Sequence, residues 1–323
     1  MNPPAASPEG AAPRPVVAEH ELVRLIGAGS GGEVWLARNA LGTYRAVKII
    51  CRKSFEWQKP FADEFQGLLR FEPLSREHDG LVDVLQVGGS AAADYLYYVM
   101  ELGDDVRTGQ TINPASYRPR TLAHDLAERR RLPIGECIRL GAPIASALGF
   151  LHRHGLIHRD VKPANIIFVN GFPKLVDAGL VTEMFQTGSR VGTEGYIPPE
   201  GPGTARADIY ALGKVLYEIS TGKDRNDYPE LPADLGRPAD ERDLIQFNQI
   251  IIKACRANPR LRYRAAEEMM SDLLAFQFCR PGPLDGKIPQ SSIRMFSLIG
   301  LLIALGVTLF LLWRIIWLLR HPD

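Results

Sequence analysis

The first hundred residues carry short runs in which apolar and polar positions alternate. Five such runs lie between residues 21 and 101: ELVRLIGAGS, GEVWLARN, YRAVKII, LVDVLQVGG and YLYYVME. One helical pattern, at about residues 61–71, interrupts them. Alternation with a period of two is typical of strands whose two faces meet different surroundings. This part of the chain is therefore predicted to form a small antiparallel sheet with one helix.

Beyond Gly103 the apolar positions recur every three or four residues, as in amphipathic helices. The stretches IGECIRLGAPIASALGFLHRHG, RADIYALGKVLYEIST and LIQFNQIIIKACRA show this spacing. We therefore predict an α+β protein with a β-rich N-lobe at residues 19–103 and a larger, mainly α-helical C-lobe at residues 104–279. Residues 1–18 are rich in Pro and Ala without apolar periodicity, which predicts a disordered leader.

The apolar pattern changes again near the C-terminus. A Pro- and Gly-rich stretch at residues 280–294 predicts a linker. It is followed by an uncharged run at residues 295–313, and the apolar character resumes after Arg314. About 20 such residues suffice to cross a bilayer. We therefore expect a single-pass cell-membrane protein with a transmembrane helix at residues 295–319 and a short tail at residues 320–323; a buried core helix is the alternative.

Charge and cysteine usage narrow the possible partners and cofactors. The chain has 38 Lys and Arg against 37 Asp and Glu, a net charge of +1. Nucleic acid is not an expected partner, because proteins that bind it normally carry a clear excess of Lys and Arg. The four cysteines are far apart and form no CxxC pair. Their spacing favours reduced thiols over a disulfide framework or a zinc site.

Glycines cluster at the first predicted turn in the pattern GxGxxGxV, formed by Gly27, Gly29, Gly32 and Val34. Without side chains, a tight hairpin can bring its backbone N–H groups against phosphates. The same glycine spacing occurs at dinucleotide sites, where a helix begins at the third glycine. Here a second β-type run follows, so the pattern favours a strand–loop–strand phosphate cradle.

One lysine, Lys48, stands in an otherwise apolar β-type run that begins with Ala46. A buried ammonium group is costly unless it meets an opposite charge. ATP phosphates and a glutamate of the following helix would provide that charge. Glu64 is the first candidate for this glutamate, and Glu72 and Asp63 are the alternatives.

Further along the chain, the segment HRDVKPAN at residues 158–165 is followed by Asp177-Ala178-Gly179. With the glycine pattern and the strand lysine before them, these motifs resemble the protein kinase superfamily. A lysine two places after the aspartate of HRD is the Ser/Thr-type variant. The resemblance covers residues 21–278 and implies a bilobal protein kinase fold. It also implies a cytoplasmic domain that transfers the γ-phosphoryl group of ATP, with Mg²⁺, to a hydroxyl of a protein substrate.

The resemblance assigns a role to each matching position. Asp160 would accept or orient the proton of the attacking hydroxyl, and Lys162 would neutralise charge on the transferred phosphoryl group. Asn165 and Asp177 would hold Mg²⁺, since both supply the oxygen ligands that this ion prefers. Lys48 and its predicted partner Glu64 complete the predicted catalytic residues.

The resemblance also predicts the ATP contacts. The three glycines and Lys48 would meet the phosphates, and three apolar side chains would hold the adenine ring. A gatekeeper residue would lie behind the ring, and the backbone of two hinge positions would read its edge. The side chains at the ring would be those of Val34, Ala46 and Ile167. Met100 would be the gatekeeper, and the backbone of Glu101 and Gly103 would bind the adenine edge.

Three structural contacts of the C-lobe follow from the same resemblance. Glu200, in a PPE variant of the APE motif, would form an ion pair with Arg262. Asp208 would brace the HRD segment, and Thr193 would hydrogen-bond near the catalytic aspartate and lysine. Arg159 would receive an activation-loop phosphate. The candidate acceptors of that phosphate are Thr182, Thr187, Ser189 and Thr193.

The sequence departs from the family pattern at three places. Ala178 replaces the usual Phe of DFG, so the alternative to an active kinase is a pseudokinase that binds ATP as a scaffold at the membrane. The stretch at residues 71–80 is about one turn longer than usual. Residues 104–120 form an insertion after the hinge, interpreted as a solvated loop or, alternatively, as a contact surface. A small-molecule phosphotransferase is disfavoured by the GTEGYIPPE segment at residues 192–200.

Overall fold

The computed structural model describes residues 15–29, 32–51, 61–90, 95–176, 182–183, 192–233 and 238–279. All of these residues except Cys279 belong to one compact unit, Met1–Phe278. A second unit covers Cys279–Asp323. The predicted linker, transmembrane helix and tail therefore lie outside the described residues.

The N-terminal lobe is a five-stranded antiparallel sheet with one helix, as the alternating pattern predicted. Its elements are β1 (His20–Gly29), β2 (Gly32–Asn39), β3 (Tyr44–Cys51), α1 (Phe61–Ser75), β4 (Val84–Ser90) and β5 (Tyr95–Met100). The strand order is β1-β2-β3-β5-β4. The last two strands are therefore exchanged relative to their order in the chain, which places β5 beside β3 in the middle of the sheet.

Alternate residues of β3 belong to two different apolar clusters. Ala46 and Ile50 are part of the large core that continues into the helical lobe. Val47 and Ile49 belong to a smaller cluster on the opposite face of the sheet. Because side chains alternate between the faces of a strand, Lys48 points to the same side as Ala46 and Ile50. The pattern of β3 therefore directs its lysine toward the interior, where it is 6% exposed.

The lobe also includes residues that the sequence assigned to the leader. Val17 is buried in the smaller cluster on the outer face of the sheet. The hydroxyl of Tyr95 accepts a hydrogen bond from the N–H of Val16, and the hydroxyl of Tyr97 accepts one from Ala18. The ordered sheet thus begins before residue 19, because two tyrosines of β5 hold the preceding backbone.

The additional turn before β4 is helical. Helix α1 continues beyond the predicted helix at residues 61–71 to Ser75, with Pro73 inside it. The hydroxyl of Ser75 donates to the carbonyl of Glu72 (2.7 Å) and accepts from the N–H of Val84 (2.9 Å). This buried hydroxyl therefore links the end of the helix to the start of β4.

The C-terminal lobe is mainly helical, as predicted. Its elements are α2 (Leu122–Arg129), α3 (Ile134–Arg153), β6 (Leu156–Ile157), β7 (Ile166–Val169), β8 (Phe172–Leu175), β9 (Thr182–Glu183), α4 (Ala205–Thr221), α5 (Pro238–Ala254) and α6 (Ala266–Cys279). The short strands pair as β6 with β9 and β7 with β8. Within the described ranges, α3 is the one helix long and apolar enough to cross a membrane, but 67% of its most apolar window is buried in the protein.

A buried ion pair joins the segment before α4 to the segment before α6. The guanidinium of Arg262, 0% exposed, contacts the carboxylate of Glu200 at 2.5 and 2.8 Å. It also donates to the backbone carbonyls of Arg256, Arg206 and Ala257. These contacts confirm the predicted pair and show that Arg262 also holds two further stretches of backbone.

The substitution Glu200→Gln tests the energetic weight of this pair. It removes the counter-charge of a fully buried guanidinium while its carbonyl partners stay in place. We expect the free energy of unfolding to fall by about 2 kcal/mol in urea denaturation. The matched control is Glu230→Gln, which breaks the Lys223–Glu230 contact of 2.8 Å, where the carboxylate is 70% exposed. That change should leave the free energy of unfolding as in the wild type, because an exposed ion pair contributes little; equal effects of the two substitutions would contradict the prediction.

Candidate functional site

A cavity of about 190 Å³ lies below the inner face of the sheet. Of the predicted ATP contacts, it is lined by Val34, Ala46, Lys48, Met100, Glu101, Gly103 and Ile167. The structure thus brings together the valine of the glycine pattern, the strand lysine, the hinge residues 101–103 that follow β5, and β7. Asn165, which the sequence analysis assigned to Mg²⁺, also lines it. The sequence analysis did not assign the remaining lining residues, which are Ile26, Tyr98, Tyr117, Pro119, Thr121, Ala164 and Val176.

The predicted phosphate cradle is the turn between β1 and β2. The two strands are antiparallel, with Gly27 opposite Val34 and Gly29 opposite Gly32. This confirms a strand–loop–strand arrangement in place of the helix of a dinucleotide site. At Gly32 the backbone has φ = +109°, and a Cβ would lie 2.3 Å from the carbonyl oxygen of Ile49. Only glycine therefore fits at this position.

The partner predicted for Lys48 cannot be assigned from geometry. Glu64 lies in α1, but its side chain, like that of the alternative Asp63, is outside the described residues. The other alternative, Glu72, forms an ion pair with Arg76 within α1 and its C-terminal turn. The pairing of Lys48 with Glu64 therefore stays a prediction.

A single buried carboxylate holds the HRD segment. Asp208, in the first turn of α4 and 1% exposed, accepts the backbone N–H of His158 at 2.9 Å and that of Arg159 at 2.8 Å. Its Oδ2 also lies 2.8 Å from Nε2 of His152. Arg159 has a left-handed backbone with φ = +69°. These contacts confirm the predicted brace and account for a backbone conformation that most residues avoid.

Three side chains converge on the carboxylate of Asp160. Thr193 donates its hydroxyl to Oδ1 at 2.7 Å, and the Nδ2 of Asn165 donates to Oδ2 at 2.8 Å. The ammonium of Lys162 lies 2.7 Å from Oδ2 and donates to the hydroxyl of Thr193 at 2.8 Å. The predicted contact of Thr193 with the aspartate and the lysine is thus confirmed.

These partners stabilise the charged form of Asp160. Burial opposes ionisation of this carboxyl and is the largest single influence on it. The hydrogen bonds from Lys162 and Thr193, together with the charge of Lys162, outweigh burial and lower the pKa below its ordinary value. The group is therefore a carboxylate at neutral pH, oriented by three donors.

Asn165 is suited to hold a hard cation. Its amide nitrogen donates to both the side chain and the backbone carbonyl of Asp160, which leaves the amide oxygen as the atom available to a metal. The backbone carbonyl of Asn165 accepts a hydrogen bond from the N–H of Val176. The carbonyl of Val176 in turn lies 3.0 Å from Nε2 of His158. The backbone is thereby held up to the position before Asp177, the other predicted Mg²⁺ ligand, which lies outside the described residues together with Ala178.

The hinge carries a polar network that the sequence analysis missed. The carboxylate of Glu101 accepts from the backbone N–H of Asp83 at 2.9 Å and from Nζ of Lys174 at 2.5 Å. Lys174 also lies 3.3 Å from the carboxylate of Asp83. The side chain of Glu101 therefore binds the hinge to β8. Its sequence signal, an isolated lysine in the short β8 run, is too common to be specific.

The insertion at residues 104–120 is an ordered loop that is exposed over much of its length, as the solvated-loop interpretation expects, but buries Asp104, Asp105 and Tyr117. The carboxylate of Asp105 accepts backbone N–H groups of Arg107 (2.9 Å), Thr108 (3.0 Å) and Arg118 (2.8 Å). Burial of this carboxyl acts to raise its pKa, but these bonds outweigh burial and lower the pKa to about 2. One ionised side chain therefore closes the loop on itself.

The insertion also reaches the cavity. Tyr117 is 1% exposed, lines the cavity, and donates its hydroxyl to the carbonyl of Gly103 at 2.9 Å. Arg24 of β1 donates Nε to the carbonyl of Pro114 at 3.0 Å, and its Nη2 bonds to the carbonyl of Tyr117. The insertion thus joins β1 to the hinge. An aromatic residue in an otherwise polar insertion was the available sequence signal.

The predicted activation-loop acceptors are only partly described. Thr187 and Ser189 lie outside the described residues, as does the side chain of Thr182. The hydroxyl of Thr193 is engaged with Lys162 and Asp160. Its contacts place this threonine in the site itself. Phosphorylation of the other three remains a prediction.

Comparison with known proteins gives a consistent result. The model of the protein kinase domain family matches residues 20–276. The serine/threonine-protein kinase PknB of Mycobacterium leprae is 31% identical over 291 residues, which are 81% of this chain and 43% of PknB. PknB of Mycolicibacterium smegmatis is also 31% identical, over 79% of this chain and 42% of its own length.

A third relative, PknA, has a shorter chain than the PknB proteins. The serine/threonine-protein kinase PknA of Mycobacterium tuberculosis is 30% identical over 302 residues, 84% of this chain and 64% of PknA. The chain thus spans about two fifths of the length of the PknB relatives and somewhat less than two thirds of PknA. Since the family model covers most of the sequence from the first strand to the last helix of the compact unit, the chain belongs to the protein kinase domain family.

Proposed function

We propose that this protein is a serine/threonine kinase that transfers the γ-phosphoryl group of ATP to a hydroxyl of a protein substrate. The observation that carries the proposal is the carboxylate of Asp160, held by Thr193, Lys162 and Asn165. Asn165 and Lys48 also line the adjoining cavity. A candidate base with a cation beside it thus adjoins a cavity that a second cation and a candidate metal ligand line. The names of the PknB and PknA relatives agree with a Ser or Thr acceptor.

Each side chain would contribute positioning or charge. A carboxylate has about four acceptor directions, so Asp160 can accept a substrate hydroxyl while it keeps its three present donors. That contact would orient the hydroxyl oxygen toward the phosphoryl group and receive its proton. Lys162, beside Asp160, would offset charge on the transferred group. Lys48 would bind the phosphates from the inner face of the sheet.

Mg²⁺ would be held by Asn165 and Asp177 and, when bound, would neutralise the phosphate oxygens of ATP. The amide oxygen of Asn165 fits this role, since its amide nitrogen is committed to Asp160. The adenine would be enclosed by Val34, Ala46 and Ile167, all of which line the cavity. The backbone of the hinge would bind its edge.

The first test is transfer of phosphate from Mg-ATP to a generic basic protein by the full chain. Asp160→Asn removes the carboxylate that receives the proton, and Lys48→Met removes a phosphate-binding cation. Both substitutions should lower the rate by about 100-fold or more, measured by incorporation of labelled phosphate.

The control for this test is Asp224→Asn, the same chemical change at a carboxylate that is 53% exposed and caps a short turn at Asn226. It should keep the rate of the wild type. If the wild type is no faster than Asp160→Asn, the kinase proposal fails. ATP binding without transfer would instead support the pseudokinase alternative suggested by Ala178.

Thr193 offers a prediction for the pH dependence of the reaction. Because its hydrogen bond helps to lower the pKa of Asp160, Thr193→Val should raise that pKa toward its ordinary value. Protonation then begins at a higher pH, so kcat/KM should start to fall about half a pH unit earlier on acidification than in the wild type. Thr193→Ser keeps the hydroxyl and should retain the profile of the wild type. Identical profiles for all three proteins would contradict the role of this hydrogen bond.

We also propose that residues 295–319 anchor the protein in the cell membrane as a single helix, with the kinase domain on the cytoplasmic side. The proposal rests on the length and apolarity of this segment. Trp313 and Trp317 would lie at one interface, where tryptophan is enriched, and Arg314 would extend toward the same interface.

Two arginines in the middle of the segment test the anchor. The double change Leu305→Arg and Leu309→Arg adds about 5–7 kcal/mol to the cost of membrane insertion. The full chain should then move from the carbonate-washed membrane fraction to the supernatant. The control, Leu305→Ile with Leu309→Ile, should stay in the membranes. A wild-type chain that is extracted by carbonate would contradict the proposal.

A further inference from the structure

The hinge segment is bound on one side and open on the other. Asp104 donates its backbone N–H to the carbonyl of Phe168 at 2.7 Å, and Glu101 donates its own to the carbonyl of Asp83 at 3.1 Å. The Gly103 carbonyl accepts from Tyr117. Among the loop and turn hydrogen bonds of the described residues, neither the Glu101 carbonyl nor the Gly103 N–H is engaged. These are the two groups that the proposed ATP site assigns to the adenine edge.

The position of the Gly103 carbonyl matters for ligand selection. Residues 101–104 are neither helical nor part of a turn. In an extended segment, the N–H and the C=O of one residue point to the same side. A purine whose N1 accepts from the Gly103 N–H therefore brings its next ring atom, C2, to the Gly103 carbonyl. Adenine carries only a hydrogen at C2, so it makes no demand on that oxygen.

Tyr117 is held so that its hydroxyl stays on this oxygen. The side chain is 1% exposed, and Arg24 of β1 binds its backbone carbonyl. Burial raises the pKa of the Tyr117 hydroxyl, which keeps the group protonated and able to donate. A carbonyl has two acceptor sites, and the hydroxyl of Tyr117, 2.9 Å away, takes one of them. A ligand group at this place therefore meets an oxygen that is already engaged.

We propose that Tyr117 determines the purine specificity of this site by occupying the Gly103 carbonyl. The hinge then presents one acceptor, at Glu101, and one donor, at Gly103, which match N6 and N1 of adenine. A purine with an amino group at C2 brings a donor to an oxygen that Tyr117 already engages. This inference rests on the proposed ATP site and adds to it a residue of the insertion that selects the ligand.

The test compares two nucleotides that differ only at C2. The probes are ADP and 2-aminoadenosine diphosphate, each with Mg²⁺, titrated by calorimetry into the full chain. The wild type should bind ADP about fivefold more tightly, a factor that corresponds to roughly one neutral hydrogen bond. In Tyr117→Phe the ring remains and only the hydroxyl is lost, so the carbonyl becomes free for the 2-amino group. The preference for ADP should then disappear or reverse.

The ratio of the two affinities separates specificity from a structural role. If Tyr117 only supports the fold, Tyr117→Phe weakens both nucleotides equally and the ratio stays as in the wild type, which would overturn the inference. The matched control is Tyr95→Phe, which removes a hydroxyl bound to the backbone of Val16 on the outer part of the same lobe. It should keep the wild-type ratio.

Failure of the underlying ATP site gives a different result. If neither nucleotide binds the wild type, the proposed nucleotide site is wrong and the inference falls with it. If the wild type binds both with equal affinity, the site stands and the inference alone is overturned.

Discussion

The active-site geometry depends on one buried carboxylate, that of Asp208. Its two oxygens accept the consecutive N–H groups of His158 and Arg159. In an extended strand the N–H groups of neighbouring residues point to opposite sides, so their convergence on one carboxylate requires a bend in the backbone. The bend continues through the left-handed φ of Arg159, which costs about 1–2 kcal/mol in a residue other than glycine. The charged hydrogen bonds to Asp208 offset this cost.

The rest of the site is built outward from that turn. Asp160 follows the left-handed residue directly, so its carboxylate is aimed by the backbone before any side chain acts on it. Thr193, Lys162 and Asn165 then fix the orientation of its two oxygens. Each of these donors arrives from a different position in the chain. A change in the Asp208 contact would therefore move the Asp160 carboxylate relative to Thr193, the donor that comes from a distant segment.

The sequence allowed prediction of the contacts that are made by motif residues in fixed order. The Asp208 brace, the Thr193 contacts and the Glu200–Arg262 pair were all predicted, because each partner stands in a recognisable segment. The links from Glu101 to Lys174 and from Tyr117 to Gly103 were missed. In both, one partner is a common residue in an unremarkable context, and only the folded chain brings it to the hinge. The extension of α1 from residue 71 to Ser75 was missed for the same reason. The hydroxyl that ends the helix belongs to a common residue, and only the folded chain brings it to Val84.

The insertion shows that a loop can be exposed over much of its length and still be ordered. Most of its residues are hydrophilic, and several of its backbone N–H groups bind the ionised Asp105. A backbone satisfied in this way can be placed against the protein without the cost of unpaired amides. That frees the loop to deliver one aromatic side chain, Tyr117, to the cavity. The family motifs would supply the phosphate and metal chemistry of the proposed function, whereas Tyr117 reaches the Gly103 carbonyl from a segment that belongs to none of them.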